Sequence, residues 1–139
     1  MGTRRYWPMK ILLALAAVAS GCSAPTVTET NTPLVTRKID DNSVAMTARA
    51  TGTLTIEGGC IALEPGDAGD PMTVVWPDGT TVWNDELQTV TMTRRVGADV
   101  EASIGDFVEL GGGQATAGPG VDYVVKPTGD CPSLLWIAS

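Results

Sequence analysis

The stretch TLTIEGGCIALE, residues 53–64, decides the fold. Thr53 and Thr55 alternate with Leu54 and Ile56, a period of two that marks a half-buried strand. A Gly58-Gly59 pair follows, then a second apolar run from Cys60 to Leu63. Glycine takes positive φ without steric penalty, as the tight two-residue turn of a hairpin requires. With the two glycines as the turn, Glu57 opposes Cys60, Ile56 opposes Ile61 and Leu54 opposes Leu63. The last two pairs share one face, with Thr53, Thr55 and Ala62 on the other. A slip of one residue would turn all four apolar side chains away from the core, so this register is strongly specified. It also sets Cys60 beside the turn, at a sheet end where a distant loop can be stapled.

Strand signals continue to the last residue. MTVVW (72–76) is rich in β-formers. Pro77, Asp78 and Gly79 then occupy favoured turn positions, and TVW (81–83) completes a second hairpin. LQTVTMT (87–93) places Val90 and Met92 on one face and Thr89, Thr91 and Thr93 on the other. VEASI (100–104) and FVEL (107–110) flank Gly105-Asp106, a segment that resembles the turn and following strand common in small β-barrels. GGGQATAGPG (111–120) is predicted to be a flexible loop. DYVV (122–125) and SLLWIA (133–138) end the sheet, the latter apolar throughout and so expected at its centre. No stretch has convincing helical periodicity beyond the first 21 residues. Five to seven short strands in about 95 residues predict an all-β domain over 44–139. The expected architecture is a small closed or partly open barrel, OB-like, with a β-sandwich as the alternative.

The N-terminus reads as an address. Residues 1–10, MGTRRYWPMK, carry three positive charges, and residues 11–19, ILLALAAVA, are wholly apolar. Ser20, Gly21 and Cys22 follow. Basic, then apolar, then small is the layout of a secretory signal. Nine apolar residues span roughly 14 Å as a helix, about half a bilayer core, which disfavours a permanent transmembrane segment. ASGC, residues 19–22, resembles the lipobox of bacterial lipoproteins, although that family prefers Leu or Val where Ala19 stands. The resemblance implies a signal peptide over 1–21 and cleavage before Cys22. It also implies a diacylglyceryl thioether on Cys22 and further acylation, with palmitate for example, of the new amine. Two or three chains make such anchoring effectively permanent, whereas one holds only marginally. The alternative is an ordinary secretory signal that leaves Cys22 a free thiol. TRRYWPMK also loosely resembles a twin-arginine signal, and a start at Met9 would leave a compact lipoprotein signal without it.

If lipid occupies Cys22, Cys60 and Cys131 remain. In an exported chain, paired cysteines form disulfides, and this bridge would close about 70 residues. The chain-entropy model assigns such a loop about 4 kcal/mol. Metal ligation is disfavoured, because there is no CxxC spacing and no His in the chain. Residues 22–43 are rich in Thr, Pro, Asn and Asp without apolar periodicity, and are expected to be a tether, with an added edge strand as the alternative. About 20 flexible residues reach roughly 25 Å.

Charge narrows the partners. Removing Arg4, Arg5 and Lys10 from nine basic side chains leaves six against sixteen acids, a net charge of −10 beyond residue 21. A surface that acidic repels phosphate backbones, so no nucleic-acid partner is expected. Common nucleophilic triads need a histidine, which the chain lacks. Glu64, Asp67 and Asp70 surround a Gly-containing loop, but without EF-hand order they are read as solvated acids rather than calcium ligands. Trp76 and Trp83 bracket the WPDG turn and are the candidate contact residues for a glycan or protein partner, while Trp136 is assigned to the core. The spread GTL–GGC–WP–GD–GGG–C over residues 50–131 is loosely similar to small lipoproteins of high-GC bacteria, a likeness of turn residues that implies no activity. The expectation is an exported lipoprotein, held by Cys22 on the outer face of the cell membrane. Its domain is expected to be a non-catalytic binding or accessory module, needing no cofactor or metal, with an envelope protein or glycan as partner. The alternatives are a small carboxylate-dependent hydrolase and a purely structural surface protein.

Overall fold

A computed structural model of the chain describes residues 32–40, 46–95, 97–117 and 120–139. The signal segment and Cys22 lie outside the described residues. Every regular element among the described residues is a β-strand. They are β1 (Val35–Arg37), β2 (Ala48–Glu57), β3 (Cys60–Pro65), β4 (Met72–Pro77), β5 (Thr81–Asn84), β6 (Thr89–Met92), β7 (Val100–Ser103), β8 (Phe107–Thr116), β9 (Tyr123–Val125) and β10 (Leu134–Ala138).

The hairpin 53–64 has the register its sequence specifies. Leu54 opposes Leu63, Ile56 opposes Ile61 and Glu57 opposes Cys60. Gly58 and Gly59 have φ of 58° and 86°, positive at both turn positions. Leu54, Ile61 and Leu63 are fully buried, whereas Ile56, next to the turn, is 40% exposed.

Five strands close a barrel in the order β10–β8–β2–β3–β4, with β4 returning to pair with β10. All neighbours are antiparallel except β4 and β10, which run parallel through Thr73–Leu135, Val74–Trp136 and Val75–Ile137. This is a small OB-like barrel. Because the ring closes, the β-sandwich alternative falls. β4 has two partners on its other edge. Its first residues pair with β3, through Thr73–Ala62, and its last with β1, through Val75–Val35. At the handover the Ile61 amide donates to the Pro33 carbonyl at 2.9 Å.

Alternation divides the apolar residues between two cores. Met72, Val74 and Trp76 of β4, with Trp136 and Ala138 of β10, join Leu54, Ile61, Leu63 and Leu110 in the barrel interior. The intervening Val75, Leu135 and Ile137 point outward into a second cluster with Val35 and Cys60. Both strands are therefore sealed on both faces, which is why they are apolar throughout. Between β4 and β8 the chain builds a separate three-stranded sheet, β5–β6–β7. Its Val90, Met92 and Ala102 belong to the barrel's own core cluster.

Two expectations are corrected. The glycine-rich stretch 111–120, predicted as a loop, begins as strand: β8 runs unbroken through Gly111, Gly112 and Gly113 to Thr116. A side chain at Gly112, where φ is 150°, would collide with the Ile137 carbonyl of β10. The glycines here permit close strand approach rather than flexibility. The stretch 22–43, predicted as tether, is folded in its later part. Leu34, Val35 and Thr36 are buried, and β1 carries the antiparallel β9 on its far side. The folded body thus includes residues 32–40.

Candidate functional site

Barrels of this class commonly bind ligands across the face of their second and third strands, framed by the first and last inter-strand loops. Here those strands are β3 and β4. Their outward residues are closed off: Cys60, Ala62, Thr73 and Val75 are all at most 3% exposed. The covering elements are β1 and the connection between β8 and β10. Val121, Tyr123 and Cys131 of that connection pack on the outer cluster. Thr73 Oγ1 donates to the Pro132 carbonyl at 2.7 Å. The Cys60–Cys131 disulfide, expected from the sequence, forms with a Cα–Cα distance of 5.7 Å and a sequence separation of 71. Beside it, Thr128 Oγ1 donates to the Gly58 carbonyl at 3.0 Å. The connection is therefore a strap, fixed to the β2–β3 turn and lying over the customary binding face.

The two candidate tryptophans do not form a platform. Trp76 is fully buried in the barrel interior, where no ligand can stack on it, and its indole N–H has no protein acceptor. Sequence reasoning placed it at the end of the strand 72–76 and the head of the WPDG turn; β4 extends through Pro77 and carries it inward. Trp83 lies on β5, partly buried against the same core, with its Nε1 donating to Asp85 Oδ1 at 3.3 Å. Trp136 is core, as assigned, and donates to the Gly111 carbonyl. Among the described residues, no group of three His, Cys, Asp or Glu side chains is placed to hold a metal ion.

A polar groove of about 540 Å³ opens elsewhere, lined by Met46, Arg49, Arg94, Glu109, Gly111 and Ser139 among others. It lies at the start of β2, eight residues along that strand from its turn end. The register explains how it is built. Arg49 opposes Gly111 and Thr51 opposes Glu109, so Arg49 and Glu109 are diagonal neighbours on the outer face. They form an ion pair at 2.8 Å, with side chains 73% and 53% exposed. In such exposure the pair contributes a fraction of a kcal/mol and serves mainly to orient. Gly111 has no side chain to fill the space opposite Arg49. Arg94 enters from the segment after β6, its backbone N–H held by Asp99 Oδ1 at 3.2 Å. Its Nη2 lies 3.8 Å from where a Gly111 methyl would sit. Ser139 Oγ donates to the Met46 carbonyl at 3.1 Å and ties the end of β10 to the start of β2.

Sequence reasoning did not single out Arg49, Arg94 or Glu109. The signal lay in the register: once β8 is continued through its glycines, Glu109 and Arg49 fall on one outward face. Arg94 comes from the segment after β6, outside both sheets, and left no such trace.

No protein-family model, no curated protein and no solved structure matches the chain.

Proposed function

We propose that the protein is a bacterial cell-envelope lipoprotein. Lipid on Cys22 holds it at the outer face of the membrane, and the OB-like domain acts as a non-catalytic binding or accessory module for an envelope protein or glycan. One observation carries this reading. The chain has three cysteines, and Cys60 and Cys131 are joined to each other. Cys22 is the one left over, and it stands where the basic, apolar and small segments of a lipoprotein signal meet. The disulfide supports an oxidising compartment, where such bonds persist. Residues 22–31 then remain to span from the lipid to the folded body, a root-mean-square reach of roughly 18 Å if flexible.

The test is made on the precursor. Globomycin-treated cells are expected to accumulate the uncleaved, lipidated form, labelled by radioactive palmitate. The Cys22→Ala protein is expected to lose both the label and membrane retention. Normal processing and retention of Cys22→Ala would sink the reading.

A further inference from the structure

We propose that the Asp70–Pro71 bond is a self-cleavage site. In acid the Asp70 carboxylate cuts its own peptide bond, and the product is a two-chain molecule joined by the Cys60–Cys131 disulfide. Three observations carry this.

The first is the bond itself. Asp70–Pro71 is the single Asp–Pro pair in the chain. An aspartate side chain can reach the carbonyl carbon of its own residue and close a five-membered ring, an attack that proximity strongly favours. Proline is the better leaving group, because the nitrogen of its tertiary amide takes up a proton more readily than that of a secondary amide. The step balances with water alone. A bond forms between an Asp70 side-chain oxygen and the Asp70 carbonyl carbon. The carbon–nitrogen bond to Pro71 breaks, and its electron pair goes to the proline nitrogen, which takes its proton from the medium. Water then opens the cyclic anhydride, restoring the side-chain carboxyl beside a new α-carboxyl group.

The second is freedom. Residues 66–70, between β3 and β4, are all exposed. Among the described residues, none bonds to the Asp70 carboxylate. Other aspartates on strand ends and turns are held: Asp106 Oδ2 accepts the Ser103 N–H at 2.8 Å, and Asp78 Oδ1 accepts the Thr36 hydroxyl at 3.2 Å. Pro71 has no N–H, so the cut removes no backbone donor from the sheet.

The third is connectivity. The piece ending at Asp70 holds β1, β2, β3 and Cys60, and the piece beginning at Pro71 holds β4 to β10 and Cys131. β1 and β3 pair with β4, and β2 pairs with β8, so three ladders cross between the pieces. The disulfide joins them covalently. Where Cys22 carries lipid, the cut leaves β4 to β10 bound to the anchor through that one bond between sulfurs.

The site stands whether or not Cys22 is lipidated, so failure of either reading leaves the other in place. The test uses the full protein, purified in detergent and held in dilute hydrochloric acid. Samples taken over time are read by mass spectrometry with and without dithiothreitol. Without reductant the expected product is one molecule, heavier by one water. With reductant it separates into a piece ending at Asp70 and a piece beginning at Pro71. Asp70→Asn is expected to abolish the cut, and Asp70→Glu, which must close a six-membered ring, to slow it about tenfold or more. Both replace an exposed side chain, so the fold is expected to be unaffected. Urea at the same pH is expected to change the rate by less than about threefold, because the loop is already open in the folded state. No cut at 70–71, a cut as fast in Asp70→Asn or Asp70→Glu as in the parent, strong acceleration by urea, or pieces that separate without reductant would each overturn the proposal.

Discussion

Gly111 and Gly112 are adjacent in β8, and a methyl group means opposite things at the two. At Gly111 an added methyl would make only ordinary contacts and φ lies outside the left-handed region, so Gly111→Ala is expected to change stability by no more than about 0.5 kcal/mol. At Gly112 the backbone is at φ 150° and the methyl would meet the Ile137 carbonyl of the neighbouring strand. Relief requires β8 and β10 to separate or the backbone to strain. Gly112→Ala is therefore expected to cost about 3 kcal/mol or more. Urea unfolding of the two variants measures the contrast, and equal stabilities would contradict the close strand approach described here. Trp76 teaches a related lesson. Its place in the sequence, at the end of a strand and next to Pro-Asp-Gly, made it a candidate contact residue. Its place in β4, two residues beyond Val74 on the same face, puts it in the barrel.

The elements differ in how legible they were. The β2–β3 hairpin was readable to the residue, because alternation and a Gly-Gly turn specify the same register. β4 and β10 were readable as strands but not by face, since burial on both sides erases the period. β8 was cut short, because three glycines carry the composition of a loop and no apolar pattern. β1 was legible only as the alternative to a tether, because three residues are too few to show any period and its burial comes from pairing with β4, far along the chain. Of the strap, the strand at 122–125 and Cys131 were legible as β9 and one end of the disulfide, but not that the connection lies over β3 and β4. The disulfide closes 71 residues, and the chain-entropy model assigns such a loop about 4 kcal/mol. The Cys60→Ser/Cys131→Ser protein is expected to lose up to that amount in chemical denaturation. Amide exchange is expected to accelerate first at Tyr123–Val125, before the barrel strands. Uniform acceleration across strap and barrel would show that the strap is not a separable cover.

Across the whole molecule there is no histidine to titrate near neutral pH. Tyr123 is the only tyrosine beyond residue 21, and burial raises its phenol above the ordinary 10.0. Its hydroxyl also has no protein partner. The neutral phenol is therefore favoured in the folded state. Below the unfolded value both states hold the proton and this group gives no pH dependence. Above 10.0 the unfolded chain releases it first, so stability falls as pH rises toward the folded value. Melting temperatures from about pH 8 to pH 11 are expected to fall less steeply in Tyr123→Phe than in the parent. Identical slopes would assign the alkaline loss to other groups.

The parallel pairing of β10 with β4 has a consequence for the order in which the molecule can be completed. A chain that emerges N-terminus first can form the β2–β3 hairpin at once, from contacts only a few residues apart. β8 can then join β2, but β4 and β8 still face each other across a missing stave. Only Leu134–Ala138 fills it, bonding to both neighbours. Until those five residues arrive, two strand edges are bare and the interior around Trp76 is open to water. Closure by such distant contacts is slow. The interval before β10 is released is thus when the chain is most exposed to sticking and proteolysis, and the arrival of that strand ends it.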